Sequence, residues 1–216
     1  MTIVDLHNHA EFSKNTSLTL GDYHREGILH GAGGVAITEH NMVYPEERFS
    51  VGDPEMIRVF TGMEILNDYG DWLVFGVSTD VLGYRDIFDL IDCVHEKGGV
   101  IIAAHPYRGQ GVFRATSADM AHDIIDRVDA VEVLNGRGDE RSWRLAAELA
   151  AVHGKPCTGG SDAHGPGELY RAATMFHGPI ADLSELIESI REGCCSPVRF
   201  CMDTGQWVKW TPGGAV

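Results

Sequence analysis

Apolar positions fall into short runs that alternate with longer stretches of helical period. Runs rich in Val, Ile, Leu and Ala at 2–6, 34–38, 59–65, 72–77, 100–104, 130–134 and 156–159 read as strands, and 172–176 adds a candidate eighth. Helical patterns occupy about 20–30, 86–97, 117–127, 140–153 and 183–192. In the last of these, Leu183, Leu186, Ile187 and Ile190 recur at i, i+3, i+4 and i+7, and Asp182 or Ser184 is placed to cap the helix. Near-continuous apolar strands alternating with helices predict an α/β protein with a parallel sheet, and seven or eight such units would close into a barrel. In barrels the chemistry gathers where the strands end.

Polar residues repeatedly follow the apolar runs. His7 and His9 come after the first, Glu39 and His40 after the second, and His105 after the fifth; Asp162 and His164 follow the strand at 156–159, and Glu64 sits inside the third. In extended backbone, residues i and i+2 point the same way, so His7 and His9 can reach one metal ion, as can Asp162 and His164. Gly159 and Gly160 would let backbone approach such a site closely. Singly, each has a plainer reading: a core or surface histidine, a salt-bridged glutamate, an ordinary Gly-Ser-Asp turn. Their shared place at strand ends is what favours a metal cluster.

Composition narrows the picture. The 216 residues suit one domain, with the segment from about 194 a candidate appendage packed on it. A formal net charge of −15 repels a phosphate backbone, which argues against nucleic acid as a partner. It leaves room for a small phosphorylated substrate, because bound divalent cations would offset the charge locally. Five cysteines without a CxxC read as reduced thiols. With no apolar run long enough for a bilayer and no basic-then-apolar start in MTIVDLHNHAEF, the expectation is a cytoplasmic protein without membrane contact. Arg108, Arg137 and Arg171 lie just past candidate ligands or strand ends and could bind phosphate through their planar guanidinium groups. Glu132 and Asn135 could orient ligands from behind. The loops at 41–53 and 109–118 would set selectivity.

The strings DLHNH, TEHN, GMEI, AAHPYR and GGSDAH occur in that order between residues 5 and 164. Together they resemble the polymerase and histidinol phosphatase (PHP) family of metal-dependent phosphoesterases. The resemblance implies a distorted, TIM-like (βα)7 barrel with two or three divalent ions, Zn, Mn or Fe, at the C-terminal ends of the strands. It implies that His7, His9, Glu64 and Asp162 bind one ion, that Glu64 bridges to a second held by His105, and that His40 and His164 hold a third. The chain departs from the family pattern twice. Asn15 stands near an expected His or Asp, and no His lies between Glu64 and the His-Pro motif, where Asp71, or else Asp68, would substitute. The implied activity is hydrolysis of a small phosphomonoester or phosphodiester by metal-activated hydroxide, with His40 or His164, if freed from the third ion, protonating the leaving oxygen. The alternatives are an amidohydrolase-type C–N or lactone hydrolase, and a non-catalytic metal-binding module.

Overall fold

The computed structural model describes residues 1–45 and 57–213, so part of the 41–53 loop lies outside the described residues. Ten strands form one curled sheet in the order β10-β9-β8-β1-β2-β3-β4-β5-β6-β7. The first half of the chain carries β1 (Thr2–Asp5), α1 (Leu20–Leu29), β2 (Gly34–His40), β3 (Arg58–Asn67), β4 (Gly70–Phe75), α2 (Ile87–Glu96) and β5 (Val100–Ala103). The second half carries α3 (Val112–Ala115), α4 (Ala118–Ile125), β6 (Ala130–Asn135), α5 (Glu140–Val152), β7 (Cys157–Gly160), β8 (Ala172–Phe176), α6 (Leu183–Arg191), β9 (Cys195–Cys201) and β10 (Gln206–Lys209).

The α/β class is as expected, but the sheet is mixed rather than a ring of parallel βα units. β1, β2 and β3 run parallel, as do β5, β6 and β7, whereas β4 is antiparallel to both of its neighbours. The cause is the short link between β3 and β4. A parallel connection needs a crossover of a dozen or more residues, and here Asp68 and Tyr69 alone separate the paired ends Asn67 and Gly70. Asn67 locks the turn, its Oδ1 accepting from the Tyr69 amide at 2.9 Å and from the Trp72 indole at 3.1 Å. Gly70 supplies the positive φ of 147°.

β8, β9 and β10 are also antiparallel to their neighbours, so residues 195–209 extend the same sheet. The Trp207 indole donates to the His30 carbonyl at 2.8 Å, and Trp210 meets Trp143 edge-on at 6.2 Å. The curl brings β7 against β8, where side-chain hydroxyls replace a backbone ladder. Thr174 Oγ1 donates to the Gly159 carbonyl (2.8 Å) and accepts from its amide (2.9 Å), and Ser161 Oγ donates to the Ala172 carbonyl at 3.0 Å.

Helices close the outside. Ile87, Leu90, Ile91 and Val94 of α2 are buried on one stripe, and Asp86 caps the helix through the Phe88 amide at 2.8 Å. Leu186, Ile187 and Ile190 do the same for α6 behind Asp182. Each such side chain contributes about 1.5–3 kcal/mol on burial, which holds the strand ends beneath the site in register. Among the described residues no helix is long and apolar enough to cross a membrane.

Candidate metal centre

Beyond β1 the chain stays extended through His7, Asn8 and His9, with Asn8 bridged in parallel to Ala163. Alternation sends both imidazoles to one side. Asn8 turns to the other, where its amide donates to the carbonyls of Asp5 and Ala36, each at 3.3 Å. β7 lies so close that a Cβ on Gly160 would fall 2.5 Å from the His7 Cβ, so only glycine fits there. Asp5, fully buried below, accepts from the Ser161 amide at 2.8 Å, and burial pushes its carboxyl up to about 7.

Glu64 is the hub. One of its carboxylate oxygens lies 3.3 Å from His7 Nε2 and 3.2 Å from His105 Nε2; the other lies 3.3 Å from His9 Nε2 and 2.9 Å from His40 Nδ1. Asp162 approaches from the opposite side, its Oδ1 at 3.4 Å from His9 Nε2 and 3.8 Å from His7 Nε2. Asp71, on β4, sends Oδ2 to 3.9 Å from His105 Nε2. His105 and Asp162 both adopt left-handed backbone, φ 26° and 52°, a conformation that side chains other than glycine take mainly where surrounding structure enforces it.

Groups behind the imidazoles fix which nitrogen faces the centre. His7 Nδ1 lies 3.0 Å from Glu132 Oε1; Nδ1–H donating there leaves the Nε2 lone pair free. Glu132 also accepts from the His105 amide (2.9 Å) and from Asn135 Nδ2 (3.0 Å), so one buried carboxylate steadies two candidate ligands. His105 Nδ1 faces the Arg108 carbonyl at 3.2 Å. His9 Nδ1 faces Ser13 Oγ at 3.4 Å, and Ser13 in turn donates to Glu39.

These donors fit divalent cations. His7 Nε2, His9 Nε2, His40 Nδ1 and Asp71 Oδ1 are buried without a hydrogen-bond partner among the described residues. Orphaned polar atoms cost about 1–3 kcal/mol each, and so many facing one point would be offset together by cations. Ligand-type atoms converge in four sets: His7, His9 and Glu64; His7, His105 and Asp162; Glu64, Asp71 and His105; and His9, His40 and His164. Imidazole and carboxylate without thiolate suit a borderline divalent ion.

The electrostatics agree. Burial alone would lower the His7 imidazole, but the Glu132, Glu64 and Asp162 carboxylates outweigh it and hold its pKa well above the ordinary value. Burial would likewise raise Glu64 and Asp162, yet the surrounding imidazoles hold both below the usual carboxylate range. Asp71 is raised by burial and then by Glu64 beside it. Carboxylates crowded until one resists ionising make a site short of positive charge.

Above the cluster opens a cleft of about 700 Å³ whose lining includes His40, Glu64, Asp71, His105, Asp162 and His164. Asn15 and Asp68 stand exposed on its wall, so of the two aspartates it is Asp71 that joins Glu64 and His105. Arg108 ion-pairs with Asp162 and donates to Asn135 Oδ1 at 2.9 Å; Arg137 Nη1 lies 3.0 Å from His164 Nδ1. Arg171 is not brought to the cleft: it is exposed, and its Nε donates to the Gly167 carbonyl at 2.9 Å. Sequence reasoning passed over Arg114, which lines the cleft from α3. Its signal was only a basic residue within a loop already marked for selectivity.

Comparisons with known proteins bear on this geometry. A family model described as PHP-associated matches residues 140–195. The fold matches a two-domain protein from Bacteroides vulgatus containing a predicted PHP-like metal-dependent phosphoesterase, with a TM-score of 0.70 and 18% identity over 91% of this chain and 64% of that one. The resemblance to the PHP family is borne out. PsfC from Pseudomonas syringae is similar at TM-score 0.70 and 19% identity, covering 91% of this chain and 90% of its own. Endonuclease Q in complex with a 27-mer duplex substrate is similar at TM-score 0.65 and 15% identity, over 88% of this chain and 56% of that one. The chain thus spans less than two thirds of the Bacteroides and Endonuclease Q chains. No curated protein sequence matches it.

Endonuclease Q overturns one expectation. A protein of this PHP-like fold holds duplex DNA, so the net charge of −15 does not exclude nucleic acid. Net charge sums the whole surface, whereas a ligand meets the local field of one cleft, here edged by arginines.

Proposed function

We propose that this chain is a metal-dependent phosphoesterase. The observation that carries the reading is Glu64, whose two oxygens each face two imidazoles on the floor of an arginine-edged cleft. His7, His9, Glu64 and Asp162 would hold one divalent ion. Glu64, Asp71 and His105 would hold a second, and His40 with His164 a third, with Asn15 at its margin. Zn, Mn or Fe would suit these donors. When bound, such ions lower the pKa of water toward neutrality and offset charge on phosphoryl oxygens.

The chain's own residues would do the rest. Arg108 and Arg137 orient the phosphate and meet its equatorial oxygens, which is where charge is placed in phosphoryl transfer. Arg108 is tied to Asp162 and Asn135, so its guanidinium is held rather than floating. His40 and His164 stand at the cleft face and, where they do not hold the third ion, are the candidates to protonate the leaving oxygen; burial lowers the His164 pKa, which makes its imidazolium a stronger acid. Among the described residues no lysine lines the cleft, so a lysine-bridged amidohydrolase centre has no counterpart here. A small phosphomonoester or phosphodiester is the substrate we favour.

The test is a panel of phosphoesters, amides and lactones assayed with metal-loaded protein beside Glu64→Gln. Phosphoester turnover reduced at least a hundredfold in the variant is the expected outcome. Turnover of amides or lactones alone, or a variant as active as the parent, would overturn the reading.

A further inference from the structure

Next to the metal cleft lies a second cavity of about 430 Å³, lined among others by Tyr107, Arg108, Arg114, Arg137, Arg141 and Ser142. Arg108, Arg114 and Arg137 line both cavities, so the two share a wall of guanidinium groups. The chain has only 17 lysines and arginines against 32 acidic residues, yet four arginines meet here. The one carboxylate in the lining is Asp139, which is occupied in capping α5, accepting from the Ser142 amide at 2.7 Å.

Two of the arginines already have partners. Arg108 holds Asp162 and Asn135, and Arg137 lies against His164. The Arg114 amide donates to the Gly111 carbonyl at 2.7 Å, but its guanidinium makes no hydrogen bond or ion pair among the described residues, and Arg141 belongs to the second cavity alone. Asp162 answers Arg108 and lies 4.0 Å from Arg137, and Asp139 feels the charge of Arg141, so two carboxylates face four guanidinium groups and, among the described residues, the Arg114 guanidinium is left without a partner; guanidinium forks match phosphate oxygens bidentately.

We propose that this cavity receives a second, non-scissile phosphate of the substrate, which is therefore a small bisphosphorylated molecule. The inference rests on the phosphoesterase reading for its link to turnover. The shared wall sets the second phosphate beside the first within one ligand. The cavity's size and its Tyr107 and Leu145 flanks suit one compact terminal group.

The probes are α,ω-alkanediol bisphosphates of two to six carbons and the matching alkyl monophosphates. Binding is measured calorimetrically on metal-free protein and turnover on metal-loaded protein, for the parent, Arg141→Gln, Arg114→Gln and the control Arg144→Gln. Arg144 lies on α5 but lines neither cavity. Bisphosphates should be preferred at least tenfold in kcat/KM, mainly through KM. The preference should fall about tenfold in Arg141→Gln and Arg114→Gln and persist in Arg144→Gln. Equal handling of both series, or equal losses on both in the variants, would overturn the proposal, as would cleavage of oligonucleotides with no bisphosphate cleaved. If no phosphoester is cleaved, the phosphoesterase reading fails by itself. Bisphosphate binding to metal-free protein that is weakened by Arg141→Gln would then still support the subsite, and unchanged binding would sink it.

Discussion

Glu132 offers the sharpest separation between a histidine that is merely buried and one held ready for a metal. Its carboxylate is 1% exposed and meets His7 Nδ1 at 3.0 Å, the His105 amide at 2.9 Å and Asn135 Nδ2 at 3.0 Å. Glu132→Ala strands the first two donors outright, while Asn135 keeps Asp162 Oδ2 at 3.3 Å. At about 1–3 kcal/mol for each orphaned buried group, plus the lost side-chain packing, the expected destabilisation is about 3–6 kcal/mol. That is a large share of the 5–15 kcal/mol typical of a domain, so metal binding is better read in Glu132→Gln. The amide keeps the volume but turns one acceptor into a donor. If its NH2 faces His7, the imidazole must accept at Nδ1 and carry its proton on Nε2, the atom that would bind the ion. Losing such a support lowers metal affinity about 10–100-fold, or about 1.4–2.7 kcal/mol. Competition with a chromophoric chelator measures this, and circular dichroism checks that the variant is folded. A folded Glu132→Gln binding metal within about twofold of the parent would refute the reasoning.

Two further outcomes follow from the same geometry. Gly160→Ala sets a Cβ 2.5 Å from the His7 Cβ and 2.7 Å from its backbone nitrogen, and overpacking of that kind costs about 1–3 kcal/mol, or about 2–12 °C in Tm. Gly165→Ala, which meets nothing within 4 Å, should leave calorimetric unfolding unchanged; equal Tm values for the two variants would contradict the close approach. The metal-free protein should lose stability as pH rises above about 6.5. His7 is raised, so its contribution is complete below about 6.5 and is lost as pH climbs through the higher folded value. Asp5, at about 7 when folded, adds a loss between about pH 4 and 7, whereas the lowered Glu64 and Asp162 contribute above about pH 4 and lose their effect only in stronger acid. Metal loading should flatten or reverse this slope, because ligands must shed protons to bind; a metal-free Tm that is flat or rising above about pH 6.5 would count against the charge arrangement.

What was legible in the sequence depended on distance along the chain. His7 with His9 carries its geometry within three residues, because extended backbone fixes where i and i+2 point; Asp162 with His164 does not, since Asp162 takes a left-handed φ of 52° and the two side chains join different ligand sets. Strand positions were equally plain for Gly34–His40 and Ala130–Asn135, whose apolar runs need no partner to be recognised. Strand direction was not legible in that way. The Asn67–Gly70 turn carries hairpin chemistry, but whether β4 runs parallel depends on the absence of a helix in a four-residue span, and the regular βα rhythm elsewhere hid that. The same hairpin puts Asp71 opposite Leu66 and within reach of His105. Its neighbour Asp68, equally acidic in sequence, is left exposed on the cleft wall. Cys195–Cys201 and Gln206–Lys209 lack a distinct apolar run; the first became a strand on the edge that β8 offered, and the second on the edge of the first.

Charge was the least legible property, because it was read as a sum. The chain is acidic overall, but two regions of opposite sign lie side by side in the fold. Glu64, Asp71 and Asp162 crowd the metal cleft with Glu132 buried behind them, while Arg108, Arg114, Arg137 and Arg141 gather beside it. Asp162 joins the regions, facing His7 and His9 with one oxygen and Arg108 with the other. Cations on the carboxylate side would neutralise the partner that now engages Arg108 and free that guanidinium for an anion. Phosphate affinity should therefore rise with metal loading through Arg108 as well as through the ions themselves. The two contributions separate in Arg108→Lys, which keeps the charge but loses the fork: metal affinity should be little changed while metal-dependent phosphate binding weakens about tenfold. Equal phosphate affinity in parent and variant would show that Arg108 serves only to hold Asp162.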